Sequence, residues 1–136
     1  FENIICENID NDCLDISGAT VYGSFLKGSK IKDKGLSFGE SAKGQISNLN
    51  FQNSKLGVAV KDGSNLKLSK YEFRNNEYDI VVFNKKKEYE GASLLIDKPN
   101  SNNKINYLLG NNNEIIKDEI SLTKKIDNKI INNLFY

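Results

Sequence analysis

Four triplets of one pattern decide the fold of this sequence: Leu14-Asp15-Ile16, Leu36-Ser37-Phe38, Val58-Ala59-Val60 and Ile80-Val81-Val82. They begin at positions 14, 36, 58 and 80, so each lies 22 residues after the one before it. Each triplet has large apolar residues at its first and third positions, and the middle residue is smaller or polar in three of the four. This alternation is typical of a short β-strand with one buried face.

A second register repeats with the same period. Leu49-Asn50-Phe51 recurs as Tyr71-Glu72-Phe73 and weakly as Leu94-Leu95-Ile96, and a further apolar stretch recurs as Gln45-Ile46 and Lys67-Leu68. Glycines such as Gly18 and Gly63 lie between the stretches, where corners need a positive φ. Each period therefore predicts three short strands that form one coil. We expect an all-β fold, a right-handed parallel β-helix solenoid of about 22 residues per coil.

Stacking of the coils predicts which side chains point inward. The expected core is Leu14, Ile16, Leu36, Phe38, Ile46, Leu49, Phe51, Val58, Val60, Leu68, Tyr71, Phe73, Ile80 and Val82. Asn53 and Asn75 are one period apart, and they suit either a stacked amide ladder or an ordinary turn. A leucine-rich repeat is the rival interpretation, because residues 68–76 fit its consensus. Against it, residues 57–60 and 79–82 are rich in β-branched side chains and lack helical spacing.

The two ends of the chain differ in pattern. Residues 1–97 are predicted to be β-helix coils, and residues 98–136 an irregular C-terminal coil or cap that covers the last sheet edge. A loop is expected over residues 99–103. Ile4, Ile5 and Ile9 resemble the tail of a preceding coil, and the chain begins at Phe1 without any methionine. We therefore expect a fragment whose solenoid starts before Phe1.

Composition makes several kinds of site improbable on chemical grounds. The formal net charge is +1, so no basic surface for nucleic acid is predicted. Histidine is absent, which removes the commonest general base and zinc ligand. No apolar run is long enough to predict a membrane span. Cys6 and Cys13 do not form a C-x-x-C motif, so we expect neither a disulfide framework nor a metal site, with one oxidised pair as the alternative.

Several segments resemble successive coils of a known class of protein. These are residues 11–18, 33–40, 57–64 and 85–89, and they are similar to bacterial right-handed parallel β-helix repeat proteins of the pectin-lyase-like superfamily. The resemblance covers residues 1 to about 97. It implies the fold, and a range of roles that includes polysaccharide lyases, hydrolases, epimerases, adhesins and non-catalytic scaffolds. Pectate lyases of that superfamily use calcium and an arginine base, whereas Arg74, the one arginine here, lies beside a corner.

The period also predicts which outward side chains are neighbours. Glu40 and Asp62 fall on adjacent coils about 5 Å apart, where like charges would raise one pKa as a general acid requires. Lys61 lies beside them and Asp15 two coils below it. These residues predict a shallow acidic trough on one outer strand face, with Glu40 and Asp62 as candidate catalytic residues. The alternative is that both carboxylates are solvated corner residues.

The remaining site predictions concern ligands. Asp15 and Lys61, together with Tyr89 from the charged loop Lys85–Glu90, are candidate substrate-binding residues for a polysaccharide. The loop is otherwise an ordinary solvated segment. No cofactor or metal site is expected, although Asp15, Glu40 and Asp62 leave calcium open as a variant.

Two functions fit these predictions. The first is a β-helix scaffold domain of a larger surface or secreted protein that contacts polysaccharide through one outer strand face. The alternative is the C-terminal part of a polysaccharide-modifying enzyme, a lyase, epimerase or glycoside hydrolase. The absence of histidine and of a strand-borne arginine favours the non-catalytic function for this chain. We expect an extracytoplasmic or cell-surface location.

Overall fold

A computed structural model of the chain describes residues 1–97, 104–125 and 128–135. Within these ranges lie thirteen strands and one helix. The strands are β1 (Ile4–Ile9), β2 (Leu14–Ser17), β3 (Thr20–Gly23), β4 (Leu26–Ile31), β5 (Lys34–Gly39), β6 (Lys43–Gln52), β7 (Leu56–Lys61), β8 (Asn65–Arg74), β9 (Tyr78–Phe83), β10 (Ser93–Ile96), β11 (Tyr107–Leu109), β12 (Glu114–Lys117) and β13 (Ile120–Ser121). The helix α1 covers Asn128–Phe135.

The strands form two sheets around one core. Sheet A contains β1, β4, β6, β8, β10, β12 and β13 in that spatial order, with β3 also paired to β6. Sheet B contains β2, β5, β7, β9 and β11. Leu14 pairs with Leu36, Leu36 with Val58 and Val58 with Ile80, all in parallel register. The chain is therefore a parallel β-solenoid of about five turns with coils about 22 residues apart, which confirms the predicted fold class.

The core consists of the side chains that the repeat predicts to point inward. Thirteen of the fourteen predicted residues are buried, and Leu14, in the first coil, is half-buried against the same cluster. Leu14 is more exposed because sheet B has no further strand beyond β2 among the described residues. Each coil buries its inward face only because a neighbour stacks on it, so the first coil is the least covered.

Corners recur at equivalent positions of successive coils. Gly18, Glu40 and Asp62 all have positive φ, at 63°, 55° and 53°. Asn53 and Asn75 form another corner with φ of 52° and 53°. A positive φ costs roughly 1–2 kcal/mol for a residue with a side chain, so bonds between coils must stabilise these corners. One such bond is donated by the Gly18 amide to the Gly39 carbonyl at 3.1 Å.

The side-chain bonds at the asparagine corner come from a neighbour of the predicted pair. Asn76 accepts a bond from the Ser54 amide at 3.0 Å and donates to the Phe51 carbonyl at 3.0 Å, which ties two coils together. The side chains of Asn53 and Asn75 are exposed. The predicted ladder is therefore replaced by Asn76, and the other two asparagines serve the turn.

The second half of each period differs from a leucine-rich repeat. Residues 57–60 lie in β7 and residues 79–82 in β9, so both halves of these periods are strands and the rival interpretation is wrong. The two apolar stretches predicted on either side of Asn48 belong to one long strand, β6, and those on either side of Lys70 to β8. Positive φ at these two residues, 59° and 58°, bends each strand without ending it.

One further coil lies beyond residue 97. β11 pairs with β9 and β12 with β10, both in parallel register. β13 then pairs antiparallel with β12, and Lys125 forms an antiparallel bridge with Leu109, so both sheets end against returning chain. The loop predicted over residues 99–103 lies outside the described residues.

Helix α1 packs against the outer face of sheet B. Its apolar residues Ile130, Ile131, Leu134 and Phe135 contact a cluster formed by Leu56, Ala59, Val81, Phe83 and Leu108. The rings of Phe83 and Phe135 are 4.1 Å apart between centroids. The spacing of these residues gives the helix one apolar side, which is what packing on a sheet requires. The chain end therefore covers the side of the solenoid, and this helix was not among the sequence predictions.

A disulfide joins Cys6 to Cys13, with their Cα atoms 5.9 Å apart. The bond connects β1 to the residue before β2 and so closes the corner of the first coil. This bridge is the oxidised pair that the sequence left open as the alternative, and a separation of seven residues matches no motif that would have favoured it. The corner between the two strands brings the cysteines together, and only the fold shows that.

Candidate functional site

The rows of outward side chains predicted on sheet B are present. Asp15 pairs with Ser37, Ser37 with Ala59 and Ala59 with Val81. Lys61 pairs with Phe83 in the neighbouring row. The coil register thus places Asp15, Glu40, Lys61 and Asp62 on one side of the solenoid.

The predicted open trough on this side is wrong. Ser37 is 1% exposed, Ala59 and Val81 are fully buried, and Phe83 is 2% exposed, although all four point away from the core. For Ala59, Val81 and Phe83 the cause is α1, whose apolar side packs against them. An extended saccharide has no access to the middle of this face while the helix is in place. Asp15 in the first coil is exposed and Glu40 is partly exposed, so the margins of the face stay open.

Asp62 supports the backbone of the next coil. Its side chain is buried, and its Oδ1 accepts hydrogen bonds from the backbone amides of Lys85 and Lys86, both at 2.7 Å. Two amides bound to one carboxylate oxygen form a charge-assisted turn anchor. Because these bonds occupy Oδ1 and the residue is enclosed, the geometry fits a structural role better than proton transfer to a ligand.

Glu40 is the more exposed member of the predicted catalytic pair. It forms a salt bridge and hydrogen bond with Lys86. The hydrogen bond from Lys86 and its positive charge lower the pKa of Glu40, with Lys61 adding a smaller effect. This direction is opposite to the rise that a general acid requires, because a cation has taken the place expected for a second carboxylate.

Lys61 lies between the corner and the covered face. Its aliphatic chain runs over Gly39, where an added Cβ would lie 3.0 Å from the lysine Cε. Burial is the main cause that lowers the pKa of Lys61, followed by the charges of Lys34 and Lys85, while Asp15 and Asp12 act in the other direction. Glycine at position 39 thus provides the space in which the lysine is packed.

Tyr89 belongs to a short segment that folds back on the same corner, residues 84–90, here called the corner loop. Asn84 donates from Nδ2 to the carbonyls of Tyr89 and Glu90, each at 2.9 Å. The side chain of Tyr89 is half-buried. The structure therefore brings Glu40, Asp62 and the corner loop together, and the proximity that the sequence suggested for the loop is real.

The structure does not assemble a calcium site from the three predicted carboxylates. Among the described residues, which include Asp15, Glu40 and Asp62, no group of three His, Cys, Asp or Glu side chains is placed to hold a metal ion. Asp62 Oδ1 faces backbone amides and Glu40 faces Lys86. The three carboxylates therefore do not converge on one position among the described residues, and calcium binding stays a prediction.

Sequence reasoning missed the outer face of sheet A. One row of outward side chains runs across five strands in continuous register: Tyr22, Gln45, Lys67, Leu95 and Ile116. Four steps of about 4.8 Å give this row a length of roughly 19 Å. Tyr22 is 72% exposed and Leu95 37%. The signal was present in the sequence, because these residues are outward partners of the predicted inward ones.

The Tyr22 end of this row opens into a cleft of about 410 Å³. Its walls carry two aromatic side chains, Phe1 and Tyr22, beside the polar Ser24, Gln45 and Ser47. An exposed aromatic ring flanked by hydroxyl and amide groups can stack on an apolar ring face and bond to hydroxyls at its edge. We call the row and this cleft together the sheet A face.

Comparisons with known proteins do not assign the chain to a family. No family model matches the sequence, and neither a curated protein nor a solved structure shows significant similarity to it. Within the described ranges, the one helix, α1, is too short to cross a bilayer. The fold is therefore established from the coil register itself.

Proposed function

We propose that this chain is a non-catalytic β-solenoid scaffold that contacts polysaccharide through the sheet A face. The observation that carries the proposal is the difference between the two sheets. Helix α1 covers the outer face of sheet B, whereas the outer face of sheet A presents Tyr22 and Gln45 to solvent. We had predicted polysaccharide contact on the outer strand face that belongs to sheet B. The proposal places this contact on the outer face of sheet A instead.

The spacing of the sheet A face suits an extended, repetitive ligand. Equivalent side chains recur at about 4.8 Å along the solenoid axis, a period in the range of the rise per sugar ring in an extended glycan. The row offers one exposed aromatic residue, an amide and a lysine in sequence. A rigid ladder of this kind binds without ordering a loop, which reduces the entropy lost on binding.

The carboxylates on the other side support a non-catalytic role. Asp62 holds the corner loop through two backbone amides, and Glu40 is paired with Lys86 at a lowered pKa. Acid catalysis in glycoside chemistry needs a carboxyl group with a raised pKa beside a carboxylate that is free to act. The pKa of Glu40 is shifted in the opposite direction, and the Asp62 carboxylate is bound to backbone amides and is not free to act.

The Cys6–Cys13 disulfide supports an extracytoplasmic location. Disulfides persist mainly in oxidising compartments and are rare in the cytosol. Both cysteines described in the chain are engaged in this one bridge. Membership of the pectin-lyase-like superfamily and a surface location are part of the same proposal, and they rest on the sequence resemblance, the solenoid fold and this bridge.

The test compares two tyrosines on opposite sides of the molecule. Binding of the wild type, Tyr22→Ala and Tyr89→Ala to an array of neutral and uronate-containing polysaccharides is measured. We expect Tyr22→Ala to lose at least tenfold in affinity, because truncating a tyrosine at the centre of a binding surface costs about 2 kcal/mol or more. Tyr89→Ala is expected to bind as the wild type does.

Three outcomes contradict the proposal. Loss of binding in Tyr89→Ala alone would place the ligand at the Glu40–Asp62 corner. Failure of the wild type to bind any polysaccharide would remove the ligand altogether and leave only the scaffold. Release of shortened saccharides from a bound polymer, lost in Asp62→Asn or Glu40→Gln, would establish the enzymatic alternative.

A further inference from the structure

A second cleft opens towards the other end of the sheet A face. Its volume is about 420 Å³, and it is lined by Leu95, Ile96, Asp97, Asp118 and Glu119. Leu95 belongs to the outward row of the sheet A face, three strand steps or roughly 14 Å from Tyr22. An apolar side chain and three carboxylates therefore adjoin the face to which the proposed function assigns polysaccharide. We call this pocket the acidic cleft.

The strand register brings the carboxylates to this cleft. Asp97 directly follows β10, and its amide donates to the Leu68 carbonyl at 3.3 Å. Asp118 directly follows β12, and its amide donates to the Ile96 carbonyl at 3.3 Å. These bonds complete the parallel ladder at the ends of both strands, so the two aspartates occupy equivalent positions of adjacent coils. Glu119 comes next, at the turn into β13. Because like charges on neighbouring strands repel, a bound cation stabilises this pair.

A buried tyrosine lies close to the same carboxylates. Tyr71 is 2% exposed, and its hydroxyl has no hydrogen-bond partner among the described residues. After burial, the negative charges of Asp118 and Asp97 are the causes that raise the pKa of this hydroxyl, so both carboxylates lie near it. Asp97 Oδ1 is also enclosed without a partner in the described part of the chain. Enclosed polar atoms of this kind are uncommon in folded proteins, and two of them beside one cleft point to a ligand-binding site rather than to ordinary surface.

The carboxylates of the acidic cleft are poorly paired. Lys67 Nζ lies 4.0 Å from Asp97 Oδ2, which is the limit of an ion pair, and the two side chains are 43% and 40% exposed. Asp118 and Glu119 form no salt bridge within residues 1–97, 104–125 and 128–135, although Lys117 precedes them in the chain. Three carboxylates against two lysines leave the cleft with a negative charge, which attracts cationic ligands.

The spacing of the carboxylates distinguishes between kinds of cation. Among the described residues no group of three acidic side chains is placed to hold a metal ion, so the cleft lacks the compact geometry of a calcium site. An ammonium group donates three hydrogen bonds in different directions and is carried on a larger organic body. The three carboxylates supply acceptors for such a group, and Leu95, which is 37% exposed, supplies an apolar contact for that body.

We propose that the acidic cleft binds the ammonium group of an amino sugar in a polysaccharide that lies along the sheet A face. This inference rests on the proposed function and narrows its ligand to glycans with free amino groups. A lysine side chain of a protein offers the same ammonium group. The glycan is the better occupant because Leu95 continues the row that starts at Tyr22, so a saccharide chain along that row reaches the cleft after roughly three rings of about 5 Å each.

The experiment compares two glycans that differ in one functional group. An oligomer of glucosamine and an oligomer of glucose, of the same linkage and length, carry an ammonium group and a hydroxyl at the same ring position. Binding of each to the wild-type chain is measured by titration calorimetry at about pH 6, where carboxylates are ionised and amines are protonated. We expect the glucosamine oligomer to bind at least about tenfold more tightly, and the difference to shrink as salt is raised.

Exposed variants locate the preference. Asp118→Asn and Glu119→Gln each remove one charge from the turn, where both side chains are exposed, so the fold is retained. Each should lower the ratio of the two affinities about three- to fivefold, the range of one exposed charge pair. Glu88→Gln is the matched control, because it removes one charge from an exposed position of the corner loop, and its ratio should equal that of the wild type. Equal urea midpoints verify that all three variants are folded.

Contrary results overturn separate parts of the proposal. Equal affinity of the wild type for the two glycans would refute the amino-sugar preference and leave polysaccharide contact in place. A ratio unchanged in Asp118→Asn and Glu119→Gln would refute the acidic cleft as the ammonium site.

Two further arms separate this inference from the proposed function and from a protein ligand. Tyr22→Ala should weaken both glycans at an unchanged ratio, whereas full affinity with the ratio intact would refute the sheet A face and keep the cleft. Binding of neither glycan would refute both proposals. A lysine oligomer that binds more tightly than the glucosamine oligomer, and loses affinity in Asp118→Asn, would make a polypeptide the occupant.

Discussion

Asp62→Ala should destabilise the protein far more than Glu40→Gln, although the two carboxylates lie at equivalent positions of adjacent coils. In the wild type one oxygen of Asp62 accepts two backbone amides at 2.7 Å each in a buried position. Removing it leaves both amides of the corner loop without their acceptor. An unsatisfied buried donor costs about 1–3 kcal/mol, and the two amides are only partly enclosed, so we expect a total loss of about 2–3 kcal/mol.

Glu40→Gln provides the matched control. The side chains of Glu40 and Lys86 are 37% and 44% exposed, and ion pairs this accessible to solvent contribute little to folding. The free energy of unfolding of Glu40→Gln should therefore equal that of the wild type. Asp62→Asn keeps one oxygen as acceptor and loses the charge, so its stability should lie between those of Asp62→Ala and the wild type.

Urea denaturation followed by circular dichroism measures these differences. With a slope of about 2 kcal/mol per molar urea, the midpoint of Asp62→Ala should fall by roughly 1 M. Hydrogen exchange gives a local measure, because the amides of Lys85 and Lys86 should exchange faster in Asp62→Ala. A midpoint equal to that of Glu40→Gln, with both amides still protected, would refute the assignment of Asp62 as the anchor of the corner loop.

Three further predictions follow from other contacts. Burial raises the pKa of Tyr71 to about 12, so the folded state holds the phenol proton after the unfolded state has lost it. The free energy of unfolding should therefore fall by up to about 2–3 kcal/mol between pH 10 and 12. Tyr71→Phe removes this buried hydroxyl, which has no hydrogen-bond partner, and urea titrations over the same pH range should show no such fall. Replacing Cys6 and Cys13 by serine should cost about 2.5 kcal/mol for the short closed loop. Amide exchange should become faster in the first coil only, and unchanged exchange there would contradict the assigned bridge. Phe135→Ala should release α1 from Phe83, so binding of a hydrophobic dye should increase while the urea midpoint of the solenoid stays near that of the wild type. An unaltered dye signal would contradict the conclusion that α1 covers the outer face of sheet B.

The core and coil register could be predicted from local pattern. Large apolar residues at alternate positions, repeated every 22 residues, place Leu36, Val58 and Ile80 on one inward face whatever the rest of the chain does. Register follows because a shift of one residue would turn every such side chain to the opposite face. The same period located Glu40 beside Asp62, although not what each would contact.

Contacts between distant segments decided the remainder. The corner loop turns Asp62 into a backbone anchor and gives Glu40 a lysine, and α1 covers a face that the repeat alone presents as open. The disulfide depends in the same way on the fold, because a corner of the first coil brings together two cysteines whose spacing matches no sequence motif. Periodicity sets which face a side chain points to, because that depends on its own strand. Its exposure and pKa depend on what packs there from elsewhere in the chain, so they required the tertiary structure.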